Sequence, residues 1–130
     1  MLESLVRRVM VRVAMIDGQL RATEMDRLRW NVGRLTGRTP DEAQVRCDIE
    51  EVVARAVPLS ELLTEARETL DAEGRRTVMR AAYIIATADG EVPAAEETML
   101  VEIARGLGIE PAEYRALVSP MALARVLTKT

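Results

Sequence analysis

Apolar residues recur at intervals of three and four along most of the chain, which is the spacing of one face of an α-helix. The first apolar stripe covers residues 2–16, and Asp17-Gly18 ends this helix. The next predicted helices cover residues 25–35, 40–56, 58–70, 74–88 and 93–107. Two short terminal helices are predicted to start at Pro111 and Pro120. No segment alternates apolar and polar residues as a strand does, so the sequence predicts an all-α fold, a compact bundle of seven or eight short helices.

The same periodicity predicts which side chains face the core. The apolar run 81–88 is nearly continuous, so the fifth predicted helix is expected to be the most buried. Trp30 lies off the main stripe of its helix; packing against another helix is the favoured role, and a contact surface is the alternative. Cys47 is expected to be a small buried or half-buried apolar group. The third helix is expected to turn four residues inward: Val45, Ile49, Val52 and Val53.

An internal repeat organises the chain, which is predicted to be a single domain over residues 1–130. Residues 8–35 align without gaps with residues 80–107, at a constant offset of 72. The two copies share the pattern Asp-Gly-x-(Leu or Val)-x-x-x-Glu, which lies in each copy between two predicted helices. We call these two segments the acidic corners; the first contains Asp17 and Glu24, and the second contains Asp89 and Glu96. The sequence therefore predicts two similar helix–loop–helix hairpins, which two intervening helices connect.

The pattern of the acidic corners is also the second half of a calcium-binding EF-hand loop, with Asp at position 5, Gly at position 6 and Glu at position 12. The first half is missing, because position 1 falls on Val13 in one copy and on Ile85 in the other, and neither carries a side-chain oxygen. One corner alone cannot surround a calcium ion, but two corners that face each other can pool their carboxylates. The predicted metal ligands are Asp17, Glu24, Asp89 and Glu96. The ion is expected to be calcium, magnesium or manganese, because all of these ligands are oxygens.

A purely structural explanation of the acidic corners stays open beside the metal site. Gly18 and Gly90 can adopt the left-handed backbone conformation that ends a helix. The Asp side chains can accept hydrogen bonds from amides of the turn, and the Glu side chains can stabilise the positive end of the next helix. In this interpretation the pattern makes a tight connection between helices and binds no metal.

Composition excludes several classes of enzyme. The chain has no His, one Cys, one Trp, two Tyr and no Phe. Zinc hydrolases, haem proteins and enzymes with a Cys-His or Ser-His pair need residues that are missing, and no phosphate-binding loop or cofactor motif is found. We therefore expect a protein that is not an enzyme.

Charge and hydropathy argue against nucleic acid and membrane partners. The net charge is −3, and aromatic residues that could stack on bases are scarce. Seven arginines near the start of the chain are expected to form a solvated surface, and a basic face that contacts phosphate or an acidic partner is the alternative: Arg7, Arg8, Arg12, Arg27, Arg29, Arg34 and Arg38. No uncharged stretch is long enough to span a membrane, the first residues lack the pattern of a signal peptide, and the lone Cys agrees with a reducing compartment. These features predict a cytoplasmic protein without membrane insertion, whose partner is an unidentified protein; a homodimer is left open.

Residues 86–97, with the sequence Ala-Thr-Ala-Asp-Gly-Glu-Val-Pro-Ala-Ala-Glu-Glu, resemble the tellurite-resistance TerB-like family. The pattern Ile-Ala-x-x-Leu-Gly at 103–108 and the more degenerate first corner extend the resemblance over most of the chain. Ile16 stands where the family usually has Ala before Asp-Gly, so the resemblance supports ligands in the second corner better than in the first. It implies a compact all-helical domain with an acidic surface associated with divalent cations. The same domain precedes the J domain of a membrane-anchored DnaJ-like co-chaperone.

These observations lead to two hypotheses about function. The first is a non-catalytic TerB-like helical domain in tellurite resistance or a general stress response, with a divalent-cation site at the acidic corners. The second is a protein–protein interaction or scaffold module that binds no metal. A cation titration separates the two.

Overall fold

The computed structural model describes residues 2–15, 21–55, 58–87 and 94–129, with backbone only at 94–96 and 122–129. Within these residues the chain forms seven α-helices and no strand, which confirms the predicted all-α bundle. The helices are α1 (Leu2–Ala14), α2 (Ala22–Thr36), α3 (Glu42–Arg55), α4 (Leu59–Thr69), α5 (Ala72–Ala86), α6 (Ala94–Gly106) and α7 (Pro111–Lys129).

Helices α1 and α5 lie at the centre of the bundle. Helix α1 packs most extensively against α5 and also contacts α2, α3 and α4. Its apolar stripe is buried, with Leu5, Val6 and Val9 almost completely inaccessible to solvent. Helix α5 packs against α1, α2, α4, α6 and α7 and buries Val78, Met79 and neighbouring small residues. The apolar side chains that recur every three or four residues thus pack into one core, to which both copies of the repeat contribute.

Local capping explains where several helices begin and end. Helix α5 begins before the predicted Gly74, because the side chain of Asp71 accepts a hydrogen bond from the backbone N–H of Gly74 at 2.8 Å. Helix α2 ends at Gly37, which has a φ of 81° and donates its N–H to the carbonyl oxygen of Gly33. A side chain at Gly37 would strain this left-handed conformation, so Gly is the residue that fits there.

The C-terminal part of the chain forms one helix, so the prediction of two short terminal helices is wrong. Helix α7 continues through Pro120, which lies inside it. Pro removes a backbone donor, but both Pro120 and Ala116, whose carbonyl loses its partner, are exposed to water. On the opposite side Leu117 and Met121 pack against the core and hold the helix together. None of the helices in the described part of the chain combines the length and the apolar character needed to cross a membrane.

Two residues of α3 are less buried than predicted. Val53 is 72% exposed, and Cys47 is exposed as well. The buried face of α3 is centred on Val45 and includes Asp48, which turns inward to pair with α1. With Val45 and Asp48 facing the core, Val53 lies at the edge of the buried face of α3 and Cys47 lies on its opposite side.

Trp30 also differs from the favoured prediction. Its side chain is 63% exposed on α2, so most of the indole is left uncovered by the other helices. The core side of α2 is filled by the smaller Leu28 and Val32, which are fully buried. The alternative role that the sequence leaves for Trp30, a contact surface, is therefore the one that fits the fold.

Candidate functional site

The helix boundaries next to the two acidic corners match between the two copies of the repeat. Helix α1 ends at Ala14 and α2 begins at Ala22, while α5 ends at Ala86 and α6 begins at Ala94. The ends of α1 and α5 and the starts of α2 and α6 are therefore each separated by the 72-residue offset of the repeat, whereas the outer boundaries of the two helix pairs are separated by 70 residues. The helices next to the two corners are therefore placed as the repeat predicts, with α3 and α4 between the two helix pairs.

Only part of each predicted ligand set lies within the described residues. Asp17 and Asp89 fall outside them. Glu24 is the third residue of α2, and Glu96 is the third residue of α6, where only its backbone is described. The structure thus places the two Glu residues at equivalent positions in the first turns of α2 and α6. That the four carboxylates of the two corners lie close to one another stays a prediction. Among the side chains that are described, no three acidic or Cys residues lie close enough together to hold a metal ion.

Glu24 lies in a polar environment that leaves its carboxylate accessible. Its Oε1 is 3.9 Å from the Nε of Arg21, and both side chains are exposed, at 37% and 78% respectively. An ion pair this long and this exposed contributes little to stability. Arg21 precedes the helix with extended backbone and provides no side-chain cap, so Glu24 also meets the positive end of α2. A cation that binds here has only a weak intramolecular partner to displace.

The residues before each acidic corner cannot complete an EF-hand loop. Val13 and Met15 are buried, and Ile85 packs against the core. The hydroxyl of Thr87 is buried and donates a hydrogen bond to the carbonyl oxygen of Tyr83 at 2.7 Å. These side chains are therefore directed into the core and are not available as ligands at the first positions of a calcium loop.

A second polar group, formed by Glu3, Arg7 and Asp48, joins α1 to α3 inside the bundle. Arg7 donates from Nη1 to Oε1 of Glu3 at 2.8 Å and from Nε to Oδ2 of Asp48. Only 11% of the Arg7 side chain and 9% of the Asp48 side chain is exposed. The prediction that Arg7 belongs to a solvated basic face is therefore wrong. The spacing of Asp48 between the inward residues Val45 and Val52 is the sequence signal that marks it as a buried acid.

The protonation of Asp48 gives a test of this buried pair. Burial raises the pKa of the Asp48 carboxyl, and the hydrogen bond and charge of Arg7 offset this only partly. The folded protein therefore keeps the proton on Asp48 to a higher pH than the unfolded chain, whose carboxyl titrates near pH ~4. The stabilisation that the Asp48 carboxyl contributes is complete below pH ~4 and is lost as the pH rises through the pKa that Asp48 has in the folded protein. We expect the destabilisation caused by Asp48→Asn to shrink as pH rises from about 4 to about 7, measured by urea unfolding.

Glu73 supplies a control of opposite sign. Hydrogen bonds from Arg76 and Arg80 lower the pKa of the Glu73 carboxyl, so its contribution to stability is present above the unfolded pKa and is lost as pH falls. We expect the cost of Glu73→Gln to grow, weakly, over the same rise in pH. A cost of Asp48→Asn that grew as well would show that Arg7, not burial, controls Asp48.

Comparison with known protein families gives a match over most of the chain. The sequence profile of the family described as tellurite resistance protein TerB matches residues 4–118. No curated protein and no solved structure matches the chain significantly. The matched region runs from the third residue of α1 to the eighth residue of α7 and includes α2 to α6 completely. The chain therefore belongs to the TerB family.

Proposed function

We propose that this TerB domain is a non-catalytic, cytoplasmic binding module for a divalent cation and acts in tellurite resistance or a general stress response. The observation that carries the proposal is the equivalence of the two hairpins, which have connections of equal length with Asp-Gly and Glu at matching positions. The same carboxylates can also stabilise the two helix connections, so the cation titration below is what distinguishes the two roles.

The packing of the helices supports a shared site. Helix α5 contacts α1 and α2 of the first hairpin as well as α6 of its own hairpin, so the two hairpins are packed together. If the two corners bring their four carboxylates close together, these groups repel one another unless a cation lies among them. Carboxylate oxygens are suited to calcium, magnesium or manganese. The chain has no His, so a site of nitrogen ligands is not available.

The test is a cation titration of metal-stripped protein. Calcium, magnesium and manganese are added separately and followed by NMR or calorimetry. We expect a saturable response that weakens about tenfold or more in Asp89→Asn/Glu96→Gln and in Asp17→Asn/Glu24→Gln, because each pair removes two charged ligands. Asp41→Asn/Glu42→Gln is the matched control, since it removes the same charge from the exposed start of α3 and should leave the response unchanged.

Two results would contradict the metal site. One is the lack of any response to millimolar cation in the parent protein. The other is a loss of stability in Asp89→Asn/Glu96→Gln with the cation response intact, which would assign these carboxylates to stabilising the start of α6.

A protein-interaction module is the second candidate function, and a specific observation favours it. The one Trp of the chain is mostly exposed on the surface of α2. Exposed Trp and Arg side chains are frequent energetic centres of protein interfaces. This role does not require a bound metal.

A further inference from the structure

Helix α2 has three sides, and one of them is left uncovered. Leu28 and Val32 face the core. A second side is covered by the following connection, because the Nε of Arg29 donates to the carbonyl oxygen of Pro40 at 2.9 Å and Thr39 lies against Gly33. The third side carries Arg27, Trp30 and Arg34, which follow one another at helical spacing, and all three are exposed. We call this third side the Trp30 face.

A buried residue orders the Trp30 face. Asn31 is buried, donates to the carbonyl oxygen of Arg27 at 3.0 Å and accepts a hydrogen bond from Nη2 of Arg34 at 3.2 Å. The guanidinium of Arg34 is thereby held over the Trp30 ring, with its carbon 5.0 Å from the ring centroid. The face presents a large apolar ring and a cation in a fixed arrangement, so little side-chain entropy is lost when a partner binds.

The charges of α2 determine what this face can bind. The two carboxylates of the helix, Glu24 and Asp26, lie in its first turns and pair with Arg21 and Arg29. No described carboxylate is within ion-pair distance of Arg27 or Arg34. The Trp30 face is therefore positive on a protein whose net charge is −3. Carboxylates complement the two guanidinium groups, and an apolar side chain complements the indole.

We propose that the Trp30 face is the docking surface for an acidic segment of another protein, in which Asp or Glu residues flank an apolar side chain. A nucleic acid is a poorer match, because the face offers one aromatic ring and the whole protein repels a polyanion. The surface serves the interaction role named above and does not depend on the acidic corners. It can therefore be tested with a chelator present.

The experiment is a selection of displayed random peptides on the wild-type protein, after depletion on Trp30→Ala, in chelating buffer. We expect the enriched peptides to carry acidic residues on both sides of an apolar one. A synthetic peptide from this set should shift the emission of Trp30 to shorter wavelength, because the ring leaves water, and no other Trp contributes to the signal. Arg27→Gln/Arg34→Gln should weaken its binding about tenfold or more.

The matched control is Arg105→Gln/Arg115→Gln, which removes the same charge from two exposed arginines on α6 and α7. It should change the affinity by less than about twofold, since surface charges outside an interface act only at long range. The proposal is overturned if no peptide survives depletion, if the enriched peptides lack acidic residues, or if the control variant loses as much affinity.

Tighter binding of oligothymidylate than of the peptides would assign the face to nucleic acid. Self-association that Trp30→Ala abolishes would assign it to a second copy of the chain. Because cation binding is measured separately, failure here leaves the metal site untouched.

Discussion

We expect Arg7→Ala to lower the free energy of unfolding by about 3 kcal/mol at neutral pH, because it leaves a buried acid without its partner. Arg7 is the cation between Glu3 and Asp48, and both it and Asp48 are almost entirely shielded from water. Without Arg7, Asp48 must either remain charged in the bundle or take up a proton at neutral pH, and both states are costly. Urea unfolding with a common slope for both proteins measures the loss.

Two further variants show whether the loss comes from the unpaired charge. Arg46→Ala removes an arginine from an exposed pair with Glu42 on α3 and should cost less than about 0.5 kcal/mol. Arg7→Met/Asp48→Leu replaces the buried pair with apolar side chains and should recover most of the stability that Arg7→Ala loses. If Arg7→Ala cost no more than Arg46→Ala, the pair between α1 and α3 would not be buried in solution.

The second large effect concerns the core positions that the two copies of the repeat share. Leu28 on α2 and Leu100 on α6 are identical residues at the repeat offset, and both are fully buried. We expect Leu28→Ala and Leu100→Ala each to lower the free energy of unfolding by about 3 kcal/mol, through lost apolar contact and the cavity left behind. Equal costs, measured by the same urea unfolding, would show that the two hairpins pack their second helices in the same way.

Another repeat pair serves as the internal control. Leu35 is half-buried near the end of α2, whereas its counterpart Leu107 is fully buried after α6. Leu107→Ala should therefore cost about 3 kcal/mol and Leu35→Ala roughly half of that, in proportion to the apolar area each removes. If Leu35→Ala were the costlier change, the burial seen in the structure would be contradicted.

Helix positions and the repeat could be predicted from sequence, because both depend on local spacing. The stripe of α1, the Gly37 stop of α2 and the start of α4 after Pro58 all agree with the structure. The equal offset of the two hairpins was visible as aligned Asp-Gly pairs and appears again in the helix boundaries. These features need no knowledge of which helices touch.

Long-range pairing could not be predicted from such local patterns. The partner of Arg7 on α3 is 41 residues away, and this contact accompanies a buried Asp48 and an exposed Val53 on that helix. Helix α7 continues through Pro120 because one side of the helix is exposed to water and the other side packs against the core. The general preference of Pro for helix starts carries no information about these tertiary contacts. The metal ligands stay a prediction for a related reason, since their approach depends on how two distant corners meet.

The central place of α1 has a consequence for how the chain matures on the ribosome. Its apolar stripe is completed by α5, whose equivalent residues are translated 72 positions later. At ordinary elongation rates this leaves the part of the stripe that α5 covers exposed for several seconds, on the order of 4 to 14 s. A nascent chain arrested between α4 and α5 should therefore be a substrate for chaperones that bind apolar helices, and should be released once α5 has emerged.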